Sequence, residues 1–281
     1  MQVSDLRGKT ALVSGAGSGI GRATALLLAR RGADLALCDI DDAALAETER
    51  SARALGREVL ACRVDVASAE AMRAFADEVH RRVPAVDLLV NNAGVALGAE
   101  FVDTSLADWE RLLDVNLRGV IHGCHFFVPP MLRRGRGGHV VNIASAAGFT
   151  ATETLTAYCT TKFAVVGLSE CLHAELARHG IGVTCICPGF IDTPILERAP
   201  LRGPLDTPAA RARMAEELRK RGYTPDRVAE NLLRAVARNR LIAPITPEAW
   251  FLYFSKRFAP ALLRRLGAWI QSRQRRALGI P

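Results

Sequence analysis

Residues Lys9 to Asp39 read KTALVSGAGSGIGRATALLLARRGADLALCD. The opening apolar run, KTALVS, has the length and composition of a buried strand. It enters a turn with glycine at 15, 17, 19 and 21. An Ala/Leu-rich helix over Arg22–Arg31 follows and stops at Gly32, and a second apolar run, ADLALC, ends on Asp39. A glycine turn between strand and helix lets backbone N–H groups approach a pyrophosphate, and the helix N-terminus favours its charge. An acidic side chain closing the next strand stands where a ribose hydroxyl can be bound. A glycine motif alone is weak evidence; the ordered set of strand, loop, helix, strand and acid is far more specific. A carboxylate at 39 repels a 2′-phosphate, and its neighbours Cys38 and Ile40 bring no cation, which favours NAD over NADP. Arg22 is the one nearby candidate for a phosphate.

The alternation continues. Helices are expected over Asp42–Leu55, Ala69–Arg82 and Ala157–His179. Strands are expected over Val59–Val64, Val86–Val90, Gly138–Ile143 and Gly182–Cys187, with a seventh at Leu241–Ile245. An apolar stretch from Leu106 to Met131 is interrupted by Asn116. Strands alternating with helices predict an α/β fold, a doubly wound parallel sheet with helices on both faces. Functional residues then belong at the carboxyl ends of strands. Gly15, Asp39, Asp65, Asn91, Ser145 and Pro188 all fall there.

Ser145 follows one such strand, and Tyr158 and Lys162 lie four residues apart on the next helix, hence on one face. A Y-x-x-x-K pair alone is also an ordinary surface pair. As chemistry, an ammonium about 4 Å from a phenol, at an effective dielectric near 20, favours phenolate by roughly 4 kcal/mol. That would bring a tyrosine from about 10 to about 7, the range of a general base. The chain holds 33 Arg and only four Lys (Lys9, Lys162, Lys220, Lys256). Lys162 therefore stands where Arg is the default cation.

At 281 residues, with 49% hydrophobic and 23% charged residues, the chain suits one large domain plus a small extension. It has no long uncharged apolar run and no basic-then-apolar N-terminus, so a cytoplasmic protein is expected. Seven cysteines without C-x-x-C spacing read as reduced core thiols. His122 and His125 beside Cys124 read as a packed helix face, and no metal site is expected. The net charge of +8 is uneven: residues 201–281 carry 17 basic and 6 acidic side chains.

These motifs together resemble the short-chain dehydrogenase/reductase family over roughly residues 5–195. Ser14-Gly15-x3-Gly19-x-Gly21 is similar to its T-G-x3-G-x-G, with Ser for Thr. Asn91-Asn92-Ala93-Gly94 is similar to its N-N-A-G segment. The resemblance implies a seven-stranded Rossmann sheet and hydride transfer between NAD(H) and a secondary alcohol or ketone. It implies a catalytic tetrad of Asn116, Ser145, Tyr158 and Lys162, with Tyr158 exchanging the proton. Ser145 would bind the substrate oxygen, Lys162 would bind the nicotinamide ribose, and Asn116 would help hold a water. For the cofactor it implies contacts from Gly15, Ser18, Gly19, Ile20, Gly21, Asp39, Asp65, Val66, Asn92, Ala93, Gly94, Pro188, Gly189, Ile191 and Thr193, besides Tyr158 and Lys162. It also implies a homo-oligomer, a dimer or tetramer.

The dehydrogenase domain is expected over 1–246, with a Pro-rich substrate lid at 194–223. Residues 247–281 form a basic, aromatic, amphipathic extension suited to pocket packing, subunit packing or peripheral membrane contact. Nucleic acid is not expected, because no recognition motif accompanies the charge. The apolar residues Val95, Ala147, Phe149, Leu155, Phe190 and Ile195 suggest a lipophilic substrate. An NADPH-dependent 3-ketoacyl-type reductase and a non-catalytic dinucleotide-sensing protein are the two alternatives.

Overall fold

The computed structural model describes residues 5–195, 197–208, 212, 216, 223–261 and 265. Seven parallel strands form one sheet in the order β3-β2-β1-β4-β5-β6-β7. They are β1 Thr10–Ser14, β2 Asp34–Asp39, β3 Val59–Arg63, β4 Leu88–Asn91, β5 Gly138–Ile143, β6 Ile181–Cys187 and β7 Ile242–Pro244. The order reverses between β1 and β4, the point at which a doubly wound parallel sheet carries a binding crevice at the carboxyl ends of its strands.

Neighbouring residues of each strand serve opposite cores, as the pleat requires. Val13 and Leu37 pack with α1 (Gly19–Arg30), with Leu45 and Ala52 of α2 (Asp42–Ala54), and with the helix Pro225–Ala237. Leu12, Ala36 and Leu89 face α3 (Ala69–Arg82), α5 (Gly119–Arg134) and α6 (Thr156–Leu176). Leu12 and Val13 are both 0% exposed. Covering a β-strand on both faces in this way is worth about 1.5–3 kcal/mol per large side chain.

Helix starts follow their caps. Asp41 accepts from Ala44 N, Ser68 from Ala71 N, and Ser105 from Asp108 N at the head of α4 (Leu106–Leu113). Helix α1 differs: Ser18 makes no side-chain cap, and no acid lies in its first turn. The expected Leu106–Met131 stretch divides into α4, a π-helical turn over Asp114–Arg118, and α5. Periodicity alone does not reveal the extra residue in such a turn. The last strand is short, and the helix expected to His179 closes in a 3₁₀ turn, Ala177–His179.

The chain past Pro247 enters a helix, Pro247–Phe258, capped by Thr246. The basic stretch 262–281, apart from Arg265, lies outside the described residues. Among the described residues, no helix is long and apolar enough to cross a membrane. The described start of the 194–223 segment is tied down. Gly98 N donates to Pro200 O at 3.0 Å, Arg202 N donates to Gly98 O at 2.9 Å, and Arg202 pairs with Asp108 at 3.0 Å.

Candidate active site

The glycine turn fills one side of the crevice. Gly15 and Gly19 have φ of +65° and +52°, which favours glycine. A Cβ on Gly21 would stand 2.0 Å from Gly15 O, and one on Gly15 would stand 2.8 Å from Ala93 Cα. The loops after β1 and β4 therefore meet with no room for side chains. Asn92 fastens them: its Nδ2 donates to Ser14 O at 2.9 Å and to Gly15 O at 3.0 Å. Ser14 Oγ in turn accepts from the backbone N–H groups of Asn92 and Ala93. Asn92 thus acts on the loop's own shape. Asp39, at the end of β2, accepts from Gly17 N at 2.8 Å and from Asp41 N at 3.0 Å. Asp65 is exposed and caps its own turn at Ala67 N, while Val66 is buried behind it. Opposite the turn, Thr193 comes close enough that a Cβ on Gly19 would lie 3.2 Å from its methyl group.

Beyond the ends of β4, β5 and β6 sit the four expected catalytic residues. Ser145 heads the 3₁₀ turn Ala146–Gly148; its Oγ accepts from Ala147 N at 3.1 Å and donates to Pro188 O at 3.5 Å. Tyr158 lies in the first turn of α6, half-buried against Leu97, Ala99 and Leu112, with its hydroxyl within the influence of the Ser145 side chain. Lys162 is 4% exposed, its Nζ 5.6 Å from the Tyr158 ring centroid. The structure thus brings Ser145, Tyr158 and Lys162 together.

The electrostatics of the pair differ from the sequence expectation. Burial pushes the Tyr158 phenol up to about 12, and the neighbouring Ser145 side chain offsets only part of this. Burial also brings the Lys162 ammonium down to about 8. Lys162 Nζ donates to Ile143 O at 3.0 Å while lying over the Tyr158 ring. Desolvation is the dominant influence on the phenol, so the protein by itself holds Tyr158 protonated at neutral pH.

Asn116 is fully buried in the π-helical turn and completely engaged. Its Oδ1 accepts from Val95 N at 2.8 Å, and its Nδ2 donates to Val95 O at 2.9 Å and to Thr161 Oγ1 at 3.2 Å. Its side chain pins the loop after β4 to α6. Thr161 was not visible as a site residue in the sequence; it sits between Tyr158 and Lys162 but faces Asn116. Among the apolar residues expected around the substrate, Phe149 is buried and Phe190 is 47% exposed. Tyr253 packs edge-on against Phe149 at 5.2 Å, which puts the C-terminal helix beside the site.

A family model described as short chain dehydrogenase matches residues 9–201. The chain belongs to the short-chain dehydrogenase family. This short-chain dehydrogenase is 41% identical over 258 residues to a Mycobacterium tuberculosis protein named "Probable oxidoreductase EphD". That match takes in 90% of this chain but only 43% of the relative's length. Mouse estradiol 17-beta-dehydrogenase 11 is 39% identical over 189 residues, 66% of this chain and 63% of the relative. Among solved structures, a short chain dehydrogenase/reductase from Burkholderia phymatum in complex with NAD is 34% identical and superposes with a TM-score of 0.81. It covers 90% of this chain and 93% of its own.

Proposed function

We propose that this short-chain dehydrogenase interconverts a lipophilic secondary alcohol and its ketone with NAD(H). The observation that carries the reading is the convergence of Ser145, Tyr158 and Lys162 beside a crevice whose other wall is the glycine turn.

The residues present fit a dinucleotide. The α1 N-terminus lacks the side-chain cap and first-turn acid of α2, α3 and α4, leaving its N–H groups for a pyrophosphate. Gly15, Ser18, Gly19, Ile20 and Gly21 would hold that group. Asp39 would take the adenosine ribose, and Asp65 and Val66 the adenine. Asn92, Ala93, Gly94, Pro188, Gly189, Ile191 and Thr193 would border the nicotinamide, with Lys162 at its ribose. The carboxylate at 39 supports NAD over NADP. The name of the Burkholderia complex is in keeping with this. When bound, the dinucleotide supplies the carbon that takes or gives the hydride.

The chain's own residues handle the oxygen and the proton. Ser145 donates to the substrate oxygen, and Tyr158 moves a proton at its phenolic oxygen. In the ketone direction the phenol is already in the donating form. In the alcohol direction it must first lose its proton, so oxidation gains with rising pH. Asn116 keeps the loop after β4 against α6. Val95 and Leu97 pack with Tyr158, and Phe149 with Tyr253 lies past the turn that begins at Ser145, in support of a lipophilic substrate. The name of the mouse relative agrees with that class.

Two surfaces suit further contacts. Leu106, Ile121 and Phe163 are exposed on α4, α5 and α6 and support self-association through those helices. On the C-terminal helix, Phe251, Phe254 and Phe258 are exposed beside Lys256 and Arg257, which supports membrane-surface contact. The 194–223 segment is assigned as the substrate lid, although 196, 209–211, 213–215 and 217–222 lie outside the described residues.

A panel of sterol, terpene and fatty alcohols and ketones, run with NAD(H) and NADP(H), tests the reading. Turnover with NAD(H), lost in Tyr158→Phe, is the expected result. Turnover confined to small polyols, a strong NADP(H) preference or an active Tyr158→Phe variant would each refute the corresponding part.

A further inference from the structure

The C-terminal helix begins on the substrate side of the sheet. Thr246, 1% exposed, caps it by accepting from Ala249 N. In its first turn, Glu248 aims back at the loop leaving β6, and its Oε1 accepts from Phe190 N at 3.1 Å. Gly189 lies under the same carboxylate. A Cβ there would stand 2.3 Å from both Glu248 Oε1 and Thr246 Oγ1. The far side of this loop is also held: Pro188 O accepts from Ala146 N at 2.7 Å and from Ser145 Oγ at 3.5 Å. One line of contacts therefore runs from Glu248 through Phe190, Gly189 and Pro188 to Ser145.

An acid in the first turn of a helix commonly serves the helix dipole alone. That role needs no partner, whereas Glu248 reaches a backbone amide 58 residues away in the chain. The close approach at Gly189 is likewise specific to this loop. We propose that Glu248 is a positioning residue that sets the height of the loop Pro188–Thr193 against the nicotinamide half of the dinucleotide. The proposal rests on the reading that the crevice binds a nicotinamide dinucleotide. Its effect belongs to that half alone, because the adenosine half falls to β1 and β2 across the crevice.

The test compares NADH with ADP-ribose, which lacks nicotinamide, by calorimetric titration of the full chain. In Glu248→Ala, NADH binds about three- to tenfold more weakly, or about 0.7–1.4 kcal/mol, while ADP-ribose stays within about twofold of wild type. Glu248→Gln keeps an oxygen that accepts from Phe190 N and restores NADH binding. Gly189→Ala, which pushes on the carboxylate from the other side, reproduces the split. Unchanged NADH affinity in Glu248→Ala would overturn the proposal, as would an equal loss of both ligands, which marks general damage to the fold. A wild-type chain binding neither ligand removes the dinucleotide reading and this role together. That outcome is distinct from a wild type that binds both and a variant that changes nothing.

Discussion

The Lys162 ammonium on α6 donates to the Ile143 carbonyl at the end of β5. The cation is thereby fixed between helix and sheet, next to the Tyr158 ring, and its protonation governs the field there. Burial brings it down to about 8, while burial pushes Tyr158 up to about 12. Of these two groups, only Lys162 titrates between pH 7 and 9. The profile of kcat/KM for ketone reduction is therefore expected to be flat below pH 8 and to fall above it as the cation is lost. Lys162→Met lowers kcat/KM by about 10²-fold or more and erases the inflection. A break near pH 6–7 in the wild-type profile would mean that phenolate forms in the free protein after all.

The crossing of the glycine turn with itself predicts a sharp intolerance. Gly21→Ala forces a methyl to within 2.0 Å of Gly15 O, a backbone atom that cannot swing aside. Melting and NADH titration should show a stability loss of about 1–3 kcal/mol, as expected of overpacking, with cofactor binding abolished. Gly56→Ala is a control: nothing lies within 4 Å of its Cβ, although its φ of +74° carries local strain. It should leave NADH binding intact, and equal binding by both variants would contradict the tight-turn account.

Asn116 predicts a stability effect separable from chemistry. Asn116→Ala leaves Val95 N and Val95 O without the partner they now have. Each orphaned group costs about 1–3 kcal/mol, so urea unfolding should report a loss of about 2 kcal/mol or more. Thr161→Val removes the third bond and the donation from Thr161 Oγ1 to Tyr158 O, but leaves both Val95 groups satisfied and should cost less. The reverse order would place the weight on α6 instead of on the loop after β4.

These cases mark what the sequence makes legible. Gly15, Gly21, Asp39, Tyr158 and Lys162 declare themselves because their chemistry is local: a turn that demands glycine, an acid closing a strand, two residues one helical turn apart. The engagement of Asn116 does not, because it depends on the π-helical turn, which no apolar period encodes. The raised phenol at Tyr158 differs from the sequence expectation for a related reason. Spacing gives the proximity of Lys162 but neither its direction toward Ile143 nor the desolvation that both groups incur. Glu248 stayed invisible because its partner, Phe190 N, is a backbone group on a distant loop. In the sequence, Thr246-Pro247-Glu248 signals only a capped helix start.

His139 predicts the acid limb of stability. It is buried in β5 with Nε2 2.8 Å from Thr184 Oγ1. Burial, with His173 adding to it, lowers its pKa from 6.5 to about 3. Between those values the unfolded chain binds the extra proton and the folded chain does not. This contribution to stability is therefore complete above pH 6.5 and is lost as pH falls toward 3. Urea midpoints should drop over that range, and His139→Gln should flatten the slope. A wild-type midpoint independent of pH from 6.5 to 4 would contradict the assignment.

The packing of Tyr253 on Phe149 gives the C-terminal segment a place in the design of the enzyme beyond support. On the proposed reading, the reacting groups come from the middle of the chain, while the apolar wall beside them is shared with a residue about a hundred positions later. Exchanging that helix would then alter the substrate range while leaving Ser145, Tyr158 and Lys162 in place.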